Sequence, residues 1–155
     1  MQLRRVTGEL AKQETTRGEI EFHVRLFAEE SNSYKVPVDE DGFFNQTLAS
    51  IAQRGLEGKG GDLWLALDNG SVAAFALTHL STDVDNKPCF WITCAYIAKP
   101  YRGTGYFSDC YAKLEQEAVR VGAAHIVLPS SRNNEAYIRK LPGYHPYVVL
   151  LKKDL

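Results

Sequence analysis

Only three cysteines occur in 155 residues, at positions 89, 94 and 110. Their number is odd and none stands in a Cys-x-x-Cys pair. That spacing argues against a disulfide framework and a structural zinc site, and it makes a reducing cytoplasm the simpler setting. No apolar run approaches the roughly 20 residues that a bilayer-spanning helix needs, so no membrane role is expected. The opening MQLRRVTGEL has two arginines but no apolar segment behind them, unlike a secretory leader. A strong charge is missing too: the formal net charge is -1, which gives a nucleic-acid partner no electrostatic footing. No internal repeat, low-complexity tract or linker divides the chain, and the length suits one domain over residues 1–155. With 45% hydrophobic and 24% charged residues, the composition suffices for a buried core under a solvated surface.

The charge that is present lies unevenly. Residues 1–98 carry 9 Lys+Arg against 14 Asp+Glu, whereas residues 99–155 carry 9 against 5. An anionic ligand on the C-terminal third and a cationic one nearer the N-terminus would suit this division, and so would random drift of surface charge.

Periodicity gives the elements. LRRV reads as a short first strand. ETTRGEIEFHVRLFAEES places Ile20, His23, Val24 and Phe27 on one helical face, and FFNQTLASIAQRGL reads as a second helix ending near Gly55. DLWLAL and SVAAFALTHL, joined across Asp-Asn-Gly, form the strongest hairpin signal, because Asn-Gly tolerates the positive backbone angles of a tight turn. CFWITCAYIA follows as a long strand of aromatic and β-branched type. A helix then carries Phe107, Cys110, Tyr111, Leu114, Ala118 and Val121 on one stripe and stops at Gly122. AHIVLPSS reads as a strand, NNEAYIRKL as a short helix with an Asn cap, and YVVLLKKDL as a last strand. The order β-α-α-β-β-β-α-β-α-β, with one strand–helix–strand crossover, predicts an α/β domain. Its central sheet is mixed and mostly antiparallel, with flanking helices.

The stretch KPYRGTGYF, residues 99–107, sits where a strand passes into a helix, a place where glycines let a backbone approach phosphate. It lacks the Gly-Lys-Ser/Thr of a Walker loop. Gly103 and Gly105 fit the first two positions of a dinucleotide turn, but Ser108 takes the third, so a nucleotide-dependent oxidoreductase rests on an imperfect pattern. Arg102, Gly103, Thr104 and Gly105 match a third design, Arg-x-x-Gly-x-(Gly/Ala), in which loop amides and the positive helix end bind a pyrophosphate. An ordinary glycine-rich turn that binds nothing has the same composition.

Taken with its surroundings, this segment resembles the GNAT acyltransferase superfamily. Ile97 stands five residues before the Arg-Gly loop, and Asn133, Ala136, Gly143 and Tyr144 follow the next strand at the family's intervals. The resemblance covers roughly residues 62–155. It implies a GNAT-like acyl-CoA N-acyltransferase fold with acetyl-CoA held where two neighbouring strands splay apart. The pyrophosphate would lie on the amides of Gly103, Thr104, Gly105, Tyr106 and Phe107 beside Arg102. The pantetheine arm would pair with the main chain at Ile97 and Lys99, with Asn133 on its other side. No metal is implied.

The implied reaction is direct attack of a primary amine on the thioester, which needs a base, oxyanion donors and an acid for the leaving thiolate. At the family's acid position, usually Tyr, this chain has Lys140, and Tyr137 lies one turn earlier. At the position where many relatives carry a Glu base it has Trp91. His79, Asp83 and Asp85 are the remaining candidates for the base. Phe107 replaces the usual Gly or Ala, and its place on the apolar stripe predicts that it points inward. Glu29, Glu30, Asp39, Glu40 and Asp41, around the loop between the early helices, suggest a cationic acceptor or simply a solvated acidic loop. A non-catalytic acyl-CoA-binding or protein-interaction module on the same fold is the alternative. YVVLLKKDL is apolar enough to pair across a homodimer or at a sheet edge within one chain.

Overall fold

The structure, a computed structural model, describes residues 2–33, 43–57, 61–128 and 139–146. Among the described residues the sheet has five strands in the order β1-β2-β3-β4-β5. The strands are β1 (Gln2–Arg5), β2 (Asp62–Asp68), β3 (Ser71–Thr82), β4 (Pro88–Ile97) and β5 (His125–Val127). The first four pair antiparallel in sequence, and β5 adds to β4 in parallel. The helices are α1 (Gly8–Lys12), α2 (Glu14–Ser33), α3 (Phe43–Leu56) and α4 (Tyr106–Arg120). The sheet is thus mixed and flanked by helices, as the pattern of the sequence predicts.

Alternation along the strands builds the two faces. Leu63, Leu65, Phe75, Leu77, Cys94 and Tyr96 point to one side, where Ile20, Val24 and Ala28 of α2 and Leu48 and Ala52 of α3 cover them. Trp64, Ala76, Phe90 and Ile92 point to the other, under Tyr111, Leu114 and Ala118 of α4. The buried Thr78 hydroxyl accepts the Trp64 indole N–H at 2.9 Å, so neither polar group is left bare in the core. The hairpin turn is as expected: Asn69 and Gly70 have φ of 50° and 89°, and Asp68 pairs with Ser71. Among the described residues no helix is long and apolar enough to cross a membrane.

Three local readings differ. The N-terminal helical region begins earlier than the apolar face shows, because Thr7 caps a five-residue α1 that closes at the extended Gln13. β5 is His125–Val127, with Ala124 and Leu128 outside the ladder, and residues 129–131 of AHIVLPSS lie outside the described residues. Arg139 and Lys140 form a turn, not the end of a helix. The rest of NNEAYIRK and the strand YVVLLKKDL lie outside the described residues.

Candidate active site

The site starts from one extra residue in β4. Opposite β3, Leu77 faces Cys94 and Thr78 faces Ile92, so Thr93 has no partner and forms a bulge. Its hydroxyl donates to the Leu77 carbonyl at 3.2 Å, which ties the bulge to the neighbouring strand. A bulge bends a strand and increases its twist. Pairing of β4 with β5 covers only Cys89–Trp91 against His125–Val127, so it ends two residues before the bulge. Beyond it, the outer edge of β4 has no described strand opposite. The Ala98 N–H donates to Ala73 of β3 at 2.9 Å, so by alternation the peptide groups of Ala95 and Ile97 face that open edge. The Ile97 side chain is half-buried against Ala66, Ala74 and Cys110.

At the end of this edge the chain makes a 3-10 turn over Lys99–Tyr101, with Pro100 supplying its fixed φ. The Thr104 hydroxyl donates to the Tyr101 carbonyl at 2.6 Å and closes the loop. Gly103 and Gly105 have φ of 80° and 88°, the left-handed region in which side chains are strained. A Cβ on either would meet nothing within 4 Å, so the loop presents bare backbone to open space. Gly105 caps α4 without any side-chain acceptor, which leaves the first amides of the helix for a ligand. These features fit a pyrophosphate. The Tyr106 ring lies 5.1 Å from that of Tyr101; burial and the hydrogen-bonded Asp68 carboxylate push its phenol up. Phe107 turns inward, its ring 4.5 Å from Tyr111, and the Lys140 ammonium sits 5.8 Å from its centroid.

Arg102 lies at this loop with its guanidinium folded back from the glycines. Nε donates to the Ile97 carbonyl at 2.8 Å, Nη2 pairs with Glu30 at 2.7 Å, and the Tyr96 ring centroid is 5.4 Å away. The Lys99 ammonium stands 4.0 Å from the same carboxylate, and the Tyr96 hydroxyl 3.5 Å. Burial, then Glu30, raises the Tyr96 phenol, which keeps it a hydrogen-bond donor at neutral pH. His23 lies 6.0 Å from the Tyr96 ring, and burial chiefly pushes its imidazole below the usual histidine range. Nothing in the sequence pattern marks Tyr96, although it adjoins Ile97 and must face the opposite side of the sheet. Glu30 stands out in the sequence only as part of an acidic cluster.

The base candidates separate clearly. His79 is the cross-strand partner of Trp91, and their rings stack at 5.8 Å with 4° between planes. That puts His79 beside the position where the resemblance implies a Glu, on the sheet face that carries α2 and α3. Asp83 stands before the start of β4, whose ten residues span about 30 Å to the loop. One of its oxygens accepts the amides of Asp85 and Lys87, and the other lies 3.2 Å from His125. Asp85 shares that turn. Neither reaches the open edge of β4. Asn133 and Tyr137 lie outside the described residues.

A bulged strand whose described pairing with its neighbour ends short of a bare glycine turn is compatible with the site of an acyl-CoA-dependent transferase. The comparisons agree. Residues 23–141 match the acetyltransferase (GNAT) family. An acetyl transferase from Pyrococcus furiosus superimposes with a TM-score of 0.73 at 21% identity, over 99% of this chain and 100% of that one. The tetramutant of the BH1408 protein from Bacillus halodurans does so at 0.78 and 12%, with both chains fully covered. A Clostridium acetobutylicum acetyltransferase solved with acetyl-CoA scores 0.68 at 18%, over 99% of this chain and 95% of that one. No curated protein matches the sequence. The chain belongs to the GNAT family of acetyltransferases: it is an acyltransferase, and its co-substrate is acetyl-CoA.

Proposed function

We propose that this protein is an N-acetyltransferase that passes the acetyl group of acetyl-CoA directly to a primary amine. The observation that carries the reading is the Thr93 bulge, which frees the β4 edge leading into the Arg102–Phe107 turn. On this reading the amides from Gly103 to Phe107 hold the pyrophosphate, and the exposed peptide groups of Ala95 and Ile97 and the neighbouring Lys99 hold the pantetheine arm. Asn133 borders the arm from the other side. His79 takes the amine proton, directly or through water, since imidazole suits that task near neutral pH. Lys140 or Tyr137 returns a proton to the leaving thiolate. The acceptor's charge is carried by a weaker argument: Glu30 is paired with Arg102 and Lys99, Glu29 is exposed and could attract a cation, and Asp39, Glu40 and Asp41 lie outside the described residues. Three buried free thiols fit a reducing cytoplasm. A homodimer through YVVLLKKDL stays a proposal from sequence alone.

The test is thermal melting with acetyl-CoA, CoA and NAD, followed by thiol release with a panel of amines. A ligand at 100 times its Kd adds about 2.7 kcal/mol. We expect both CoA species, and not NAD, to raise Tm, and at least one amine to release thiol. No shift with either CoA species would overturn the reading, and a shift with no release from any amine would favour a non-catalytic acyl-CoA-binding module.

A further inference from the structure

Glu30 belongs to α2, on the face of the sheet opposite α4, yet its carboxylate contacts the first residue of the co-substrate loop 72 positions away. Its side chain is only 16% exposed, so this is not a freely solvated surface pair. The Arg102 guanidinium is held on three sides: the Ile97 carbonyl, the Glu30 carboxylate and the Tyr96 ring face. A planar guanidinium suits this arrangement because its N–H groups diverge in fixed directions. Arg102 directly precedes Gly103, and glycine resists rotation less than any other residue. A loop with two left-handed glycines therefore depends on anchors at its ends, and Arg102 is the anchor on the β4 side.

We propose that Glu30 is a positioning residue for acetyl-CoA. It holds Arg102 against Tyr96 and Ile97, and so fixes the direction of the Gly103–Phe107 amides, although it sits on the helix that flanks the opposite face. The inference rests on the acetyl-CoA reading and assigns Arg102 the role of a loop anchor more than that of a direct phosphate ligand. It also predicts an effect of unusual sign. Glu30 is a negative charge near the site of an anion, so electrostatics alone would have Glu30→Gln bind CoA more tightly. Positioning demands the reverse.

The experiment is titration calorimetry of CoA with wild type, Glu30→Gln, Arg102→Gln and the double variant, with steady-state kinetics alongside. Loss of one charge-assisted hydrogen bond should raise the CoA Kd about tenfold in Glu30→Gln. The KM for acetyl-CoA should rise with it, while kcat and the acceptor KM hold. The double variant should be no worse than Arg102→Gln, because both changes cut the same link. Should Glu30→Gln fail to fold, Arg102→Lys replaces it, keeping the charge but not the three-sided contact, and it should weaken CoA similarly. Equal or tighter CoA binding, additive losses, or a change confined to the acceptor KM would overturn the proposal. If wild type itself binds no CoA, the acetyl-CoA reading fails instead, and the two failures are distinguishable.

Discussion

His79 and Trp91 show how a single pair reshapes the catalytic question. Trp91 carries no acid, but its ring lies parallel to an imidazole on the adjacent strand, so a proton acceptor stands within one strand spacing of the place where a carboxylate is missing. If His79 is the base, His79→Gln should lower kcat by about 100-fold at neutral pH, within the range for loss of general base catalysis. The CoA Kd should not change, because His79 lies away from the loop. A kcat within twofold of wild type, measured by thiol release, would reject the assignment. The three thiols are poor nucleophiles by comparison: burial pushes Cys94 up to about 12 and Cys110 up to about 11, and it raises Cys89 as well. Covalent catalysis through a cysteine therefore finds no support among them.

Among the elements, the turn into α4 joins two demands in one place. Gly105 must hold φ of 88° and must leave its outer face bare. Alanine there meets no clash, but the left-handed backbone costs about 1 kcal/mol, and the new methyl stands where an anion would dock. Gly122 is a fair control, with φ of 75°, equally open space, and a position at the far end of the same helix. Gly105→Ala and Gly122→Ala should lower Tm by similar amounts, whereas only Gly105→Ala should weaken CoA, by about tenfold. Equal CoA affinity in the two variants would remove the loop from the site. The elements also differ in how openly the sequence displays them. The β2–β3 hairpin and α3 are local and strongly patterned, and both are legible to within a residue or two. The five-residue α1 is not, because it is too short for periodicity to show and rests on a cap at Thr7.

At the scale of the molecule, the described part of the sheet is tied at one end by a contact between a turn and a strand. Asp83 and His125 join the β3–β4 turn to β5 at 3.2 Å, at the end where β4 and β5 still pair. The hydrogen bond from the Lys87 amide leads in holding the Asp83 carboxyl below its usual range, with Asp85, His125 and the Lys87 charge assisting. A depressed carboxylate pKa means stability that is present above the unfolded value, about pH 4, and lost as pH falls through the folded one. Asp83→Asn keeps an acceptor for the amides and removes the charge. It should therefore lower Tm at pH 7, and the gap to wild type should shrink below about pH 4. A gap independent of pH in calorimetry from pH 7 to pH 2 would show that the charge contributes nothing.

By itself, the sequence determined the parts whose causes are local. The Asn-Gly turn, the amphipathic stripes and the glycines after Arg102 all declare themselves within a few residues, because backbone freedom and burial period act at short range. Tertiary structure alone decided what those parts meet. Thr93 sits in an unbroken strand-like run, and only its lack of a partner on β3 makes it a bulge. Glu30 finds Arg102, and His79 finds Trp91, through packing of α2 and pairing of strands, contacts that no spacing along the chain encodes. Local chemistry marked a bare glycine turn, and long-range packing supplied the Glu30 contact at its first residue and the stacking of His79 on Trp91.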